Sequence, residues 1–101
     1  MATFDTLRPL GGFDAALLAL KEGRRVTRLG WNGIGMFLFL VPGSVFRTNR
    51  EPLLSILGEG VEVQYHAHID MRTAEGFVVP WLASQTDLLA NDWHEIVVGT
   101  A

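Results

Sequence analysis

The sequence predicts an α+β fold: a small single domain with a mostly antiparallel β-sheet, an N-terminal helix and a short second helix. Three observations carry that expectation. Phe13, Ala16, Leu17 and Leu20 sit at i, i+3, i+4 and i+7, the spacing of one helical face. Several later stretches are short, rich in β-branched and aromatic residues, and separated by Gly, Pro or Asn-Gly turns that join strands as hairpins. The resulting order of helix, several strands, short helix and strand is that of an α+β domain.

Taken in order, residues 1–12 contain polar residues, Pro9 and a Gly11-Gly12 pair, and carry no period; they read as a flexible N-terminal arm before a single domain over residues 13–101. The helix that follows is closed by Lys21-Glu22-Gly23, with Gly23 as its stop. Ala15, Leu18 and Ala19 make it apolar on more than one side, which implies contact with its own sheet and with another subunit. Arg24 and Arg25 lead into an alternating strand, Val26-Thr27-Arg28-Leu29. Asn32-Gly33 then separates that strand from Ile34–Val41, a strong hairpin signal that sets Trp31 on or beside a tight turn. Pro42-Gly43 ends the second strand. Ser44–Arg50 is another extended piece, and Glu51–Leu57 fits either a short helix or a strand. Gly58 and Gly60 bracket a turn before Val61-Glu62-Val63, which runs on towards Tyr65.

From Tyr65 to Arg72 the chain alternates, with Tyr65, Ala67, Ile69 and Met71 on one side and His66, His68, Asp70 and Arg72 on the other. Ala74-Glu75-Gly76 turns it into a second strand at Phe77-Val78-Val79, and Pro80, lacking a backbone donor, should end that pairing. Ser84 can cap a helix in which Asp87, three residues on, is the capping-box acid. An aromatic beside a helix N-terminus is a place to hold a flat, anionic ligand; a hairpin and capped helix packed for stability explain the same residues. Asn91-Asp92 breaks the pattern and Trp93–Val98 reads as the final strand.

A chain of 101 residues is one domain. It should bury roughly 60–65 % of its unfolded surface. Its 49 % hydrophobic content is high for a small monomer and points to oligomerisation. With no cysteine it has no disulfide, thiolate metal site or cysteine nucleophile. Apolar runs as long as Met36–Val41 are still far below the ~18 residues of a membrane span, and nothing resembles a signal peptide, so a soluble, intracellular protein is expected. The net charge of −3 is unevenly spread: residues 1–50 hold seven Lys/Arg against three Asp/Glu, and residues 51–101 one Arg against eight. That acidic total argues against a nucleic-acid polymer as partner, while the basic first half could still meet a small phosphate-bearing ligand.

Catalytic signals are weak. His66, His68 and Asp70 share a strand face suited to a metal, but no further ligand cluster accompanies them, and hydrogen bonding or an interface is the better explanation. Ser84 or Thr86 with His68 could make a nucleophilic set, and Asp70 with Asp87 a carboxylate pair. Yet there is no nucleophile elbow, phosphate-cradling loop or dinucleotide fingerprint. What remains is a binding inventory: Trp31, Trp81 and Trp93 for stacking, Arg24, Arg25 and Arg28 for phosphate, and Asn32, Ser84, Gln85, Thr86, Asp87 and Asn91 for hydrogen bonds. That chemistry suits a nucleotide-like ligand.

Four motifs go further: the helix ending in Lys-Glu-Gly, Gly30-Trp31-Asn32-Gly33-x-Gly35-Met36, His68-Ile69-Asp70-Met71, and Pro80-Trp81-Leu82-Ala83-Ser84-Gln85-Thr86-Asp87. Over well more than half the chain they resemble the Thoeris anti-defence type two family of phages and prophages. The resemblance implies a non-catalytic sponge, without cofactor or metal, that binds a cyclic ADP-ribose-type signal, glycocyclic ADP-ribose, made by a host TIR enzyme. It implies homotetramers in the host cytoplasm with ligand held where protomers meet, and cyclic dinucleotides as a second cargo in some members. Carried onto this chain, the ligand-binding positions are Arg28, Trp31, Asn32, Gly33, Met36, Trp81, Ser84, Gln85, Thr86 and Asp87. A small nucleotide-processing enzyme and a structural or protein-interaction module are the alternatives.

Overall fold

The computed structural model describes residues 3–31 and 35–100. Eight strands and three helices follow one another as β1 (Thr3–Gly11), α1 (Phe13–Lys21), β2 (Arg25–Arg28), β3 (Phe37–Val41), β4 (Ser44–Arg47), α2 (Leu53–Leu57), β5 (Glu62–Tyr65), β6 (His68–Arg72), β7 (Val78–Pro80), α3 (Gln85–Leu89) and β8 (Trp93–Thr100). Six strands form one antiparallel sheet in the order β1-β8-β2-β3-β6-β7, and β4 and β5 form a separate two-stranded sheet. The α+β architecture with an N-terminal helix is as the sequence predicts.

Helix α1 lies on the large sheet against β1, β2, β3 and β8. Its inward residues, Ala16, Ala19 and Leu20, are fully buried together with Val26, Leu38 and Trp93. The alanines let the helix come close to the strands, and Leu20 alone contributes roughly 2 kcal/mol by leaving water. Ala19, counted with the surplus apolar side in the sequence, belongs to this core. Leu18 remains 59 % exposed, so the helix does keep a second apolar face.

Residues 1–12 are not an arm over the part described. Thr3–Gly11 is a nine-residue strand. It pairs with β8 from Thr3↔Thr100 through Leu7↔Ile96 and Arg8↔Glu95 to Gly11↔Trp93, with an irregularity at Pro9. Backbone pairing satisfies donors and acceptors whatever the side chains, so an edge strand needs no apolar period to form. Arg8 adds a side-chain reason, donating to Glu95 at 2.7 Å. Proline is tolerated because an edge strand can turn its missing donor outward.

One other expectation is corrected. Tyr65–Arg72 is not one strand: β5 ends at Tyr65, His66 and Ala67 are irregular, and β6 begins at His68 in the other sheet. His66 therefore does not share a strand face with His68 and Asp70. Pro80 is the last residue of β7 and of its ladder with β6, as expected. It stands opposite Asp70 at the other edge of the sheet, and Trp81 N–H just beyond it donates to the Ile69 carbonyl at 3.0 Å.

The stretch with two readings becomes helix α2, carried with β4 and β5 as an insertion between β3 and β6. Thr48, 2 % exposed, holds its base: its hydroxyl donates to the Gly58 carbonyl and accepts from Val61 N–H. Val45, Ile56, Val61 and Tyr65 stand exposed on this insertion. The radius of gyration is 16.6 Å, against about 13 Å for a compact chain of 100 residues. The molecule is drawn out to 46 × 39 × 25 Å.

Candidate ligand site

The two most distinctive sequence stretches, around Trp31 and from Pro80 to Asp87, meet at one carboxylate. Ser84 caps α3 as its sequence implied, accepting from Asp87 N–H at 3.0 Å. Capping turns the Asp87 side chain towards β2. Its Oδ1 accepts from Arg28 Nη1 at 2.6 Å and from Trp31 Nε1 at 3.1 Å. The Asp87 carbonyl accepts from Trp93 Nε1 at 2.9 Å, which fixes the helix to the core. Burial pushes the Asp87 carboxyl up, but hydrogen bonds from Arg28, Trp31 and Ser84 outweigh it and hold the group below its ordinary value.

Arg28 has a second anion. Its Nε donates to Asp92 Oδ1 at 2.8 Å, and the side chain is only 14 % exposed. Hydrogen bonding to Asp92 and then to Asp87 raises the guanidinium pKa further, against burial. Asp92 is lowered by Arg28 above all, against burial, with the Gly30 amide adding to it. This alters the role expected of Arg28. A guanidinium already shared by two carboxylates would have to break an ion pair to receive a phosphate, so it acts as an internal brace. Arg24 is likewise committed, to Glu95 at 2.7 Å and Glu22 at 2.9 Å, and Arg25 lies 5.1 Å over the Phe37 ring.

Around this polar knot stands an aromatic frame. Trp93 is fully buried, so it is a core pillar rather than a stacking platform. Trp31 meets it edge-on, with centroids 5.4 Å apart at 80°, and Trp81 at 6.2 Å and 84°. Phe13 from α1 closes the group at 5.6 Å from Trp81 and 5.2 Å from Trp93. Trp31 and Trp81 are each only partly buried and flank the same pillar. Aromatic pairs at such angles add about 0.5–1.5 kcal/mol beyond burial.

The structure thus brings together Arg28, Trp31, Trp81, Ser84 and Asp87 of the expected set. Gln85 and Thr86 are exposed on α3, and among the described residues their side chains make no hydrogen bond. Met36 enters through its carbonyl, which accepts from the Thr27 hydroxyl at 2.8 Å. Asn32 and Gly33 lie outside the described residues. Sequence reasoning missed Asp92, read there only as a break in pattern, and the structural place of Trp93. No local spacing marks either one: Arg28 and Asp92 are 64 positions apart.

Elsewhere, His68 Nε2 lies 3.7 Å from Asp70 Oδ2, and among the described residues no group of three or more His, Cys, Asp or Glu is placed to share a metal ion. A concavity of about 460 Å³ beside the β4–β5 insertion is lined by Phe46, Arg47, Asn49, Arg50, Glu51 and their neighbours. Among the described residues, no helix is long and apolar enough to cross a membrane.

Two tryptophans thus frame a capped-helix carboxylate on a small antiparallel sheet. The model of the Thoeris anti-defense 2-like domain matches residues 11–96, and the chain belongs to that family. It is similar to Thoeris anti-defense 2 of Bacillus phage SP01, with 40 % identity over 86 residues, covering 80 % of this chain and 89 % of that protein.

Proposed function

We propose that this chain is a phage anti-defence protein that binds and withholds glycocyclic ADP-ribose, a cyclic ADP-ribose-type signal made by host TIR enzymes, without cleaving it. The observation that carries the reading is family membership together with 40 % identity to a relative named Thoeris anti-defense 2. The geometry supports it in two ways. Trp31 and Trp81 flank one buried pillar beside the unpaired Gln85 and Thr86, which suits a base held by stacking and by polar edges, at ~1–3 kcal/mol per stacked ring. Asp87, hydrogen-bonded and held below its ordinary pKa, is a weak base near neutral pH, which favours holding a ligand over proton abstraction.

Assembly as a homotetramer in the host cytoplasm, with cargo held between protomers, is part of the same reading. The accessible surface is 6971 Å², against about 5,700 Å² for a compact monomer of 11.2 kDa. The surplus exceeds the ~800 Å² each partner gives to a standard interface. Cyclic dinucleotides are proposed as a second cargo on the strength of the resemblance.

Incubation with glycocyclic ADP-ribose, filtration and heat denaturation test the reading. Depletion followed by release of intact ligand is the expected result. An altered product would establish an enzyme instead, and no depletion would leave a protein-interaction module. Cyclic dinucleotides go through the same assay, and light scattering reads the assembly. A clean monomer at micromolar concentration would overturn a site shared between protomers.

A further inference from the structure

We propose that Asp92 is the positioning residue of the ligand site, fixing the three residues that lead into Trp31 so that its ring is presented at one angle. Asp92 stands in the turn between α3 and β8 and holds three consecutive residues of the other stretch. Its Oδ1 accepts from Arg28 Nε at 2.8 Å, its backbone carbonyl from Leu29 N–H at 3.2 Å, and its Oδ2 from Gly30 N–H at 2.8 Å. The Arg28 fork also reaches Oδ2 at 3.4 Å. Trp31 N–H donates to the Arg28 carbonyl at 3.3 Å, so the tryptophan backbone hangs from the anchored segment while Asp87 holds the indole N–H.

Gly30 gives a second, independent reason. A Cβ there would lie 2.9 Å from Asp92 Oδ2 and 3.2 Å from Arg28 Nη2, so the carboxylate comes closer than any side chain at position 30 permits. Arg28 keeps Asp92 anionic, with its pKa lowered, and therefore a full-strength acceptor for the Gly30 amide. Two anchors at different depths define a ring orientation where one would leave a hinge. A pre-set ring loses less entropy on binding.

The ligand arm of this inference rests on the reading of Trp31 as ligand-facing; the positioning arm does not. The test uses the full chain with Asp92→Ala, Asp92→Asn and Gly30→Ala, well below each variant's melting temperature. Without ligand, Asp92→Ala and Gly30→Ala should speed exchange at the Gly30 amide and shift the Trp31 indole N–H resonance. Asp92→Asn, which keeps an acceptor oxygen, should fall between them and the parent. With glycocyclic ADP-ribose, calorimetry should show Asp92→Ala and Gly30→Ala binding about tenfold more weakly, with partial recovery in Asp92→Asn. Should Asp92→Ala fail to fold, the other two variants carry the test. Parent-like binding together with an unmoved Trp31 indole signal would overturn the proposal. Absence of binding by the parent itself would instead sink the function proposed above, and the ligand-free indole signal would then decide the positioning role alone.

Discussion

Replacing Asp87 with alanine should be among the most destabilising single changes at the site. The substitution removes the 2.6 Å bond to Arg28 and the 3.1 Å bond to Trp31. Arg28 keeps Asp92, so no orphaned guanidinium results, and the ~3–5 kcal/mol cost of breaking an isolated buried pair does not apply in full. The partly buried indole N–H is left unpaired, at about 1–3 kcal/mol, and loss of a charge-assisted bond adds to it. A total of about 2–4 kcal/mol follows, or roughly 10–25 °C in melting temperature for a domain of this size. Scanning calorimetry at fixed protomer concentration measures it. In a Trp31→Phe background the indole share is already gone, so the two changes should couple by about 1 kcal/mol. The acid limb gives a second reading. Asp87 and Asp92 lie below their ordinary values in the folded chain, whose unfolded reference is about 3.9. Their contribution is fully present above that value and is lost as pH falls through the lowered folded pKa. Asp87→Ala should therefore flatten the loss of stability below about pH 4. A variant within about 0.5 kcal/mol of the parent, additive with Trp31→Phe, would refute this account of the knot.

Three further outcomes are expected. Trp31→Ala should lower the melting temperature as well as weaken glycocyclic ADP-ribose binding, because the ring packs on Trp93 and bonds Asp87; Trp31→Phe keeps the packing and separates the two effects by calorimetry. Glu95, 7 % exposed, is held by both Arg8 and Arg24, so Arg8→Ala and Arg24→Ala should each cost under about 1.5 kcal/mol, while the double change, which strands a buried carboxylate, should cost about 3–5 kcal/mol in urea titration. Gly43→Ala should cost about 1–3 kcal/mol, since its Cβ would stand 2.8 Å from the Tyr65 carbonyl oxygen and 3.2 Å from Ala67 N, backbone atoms that cannot swing away; thermal melts read it.

Much of the fold was legible in short-range pattern. Helical spacing marked α1, and Ser84 marked the cap of α3; both signals lie within a few residues of what they specify. The misses needed partners far along the chain. β1 is a strand because β8 offers it a ladder, and nothing in residues 1–12 announces that. The Tyr65–Arg72 alternation was real but crossed from one sheet to another, a switch that side-chain period does not encode. At the site, residue types were legible and commitments were not. An arginine looks available for phosphate until Asp92, which sequence distance hides, is found beside it.

The sheet order also sets how this chain must fold. β8 lies between β1 and β2, and the bond from Arg8 to Glu95 closes 87 positions. Closing such a loop costs entropy before any contact rewards it, and topologies rich in distant pairs fold in milliseconds to seconds rather than microseconds. On a ribosome, β2, β3 and α1 emerge long before the strand that completes their core. Trp93, the pillar beneath both site tryptophans, emerges only after all three, so the candidate site should form in the same late step as the core. Time-resolved tryptophan fluorescence during refolding would register both events as a single phase.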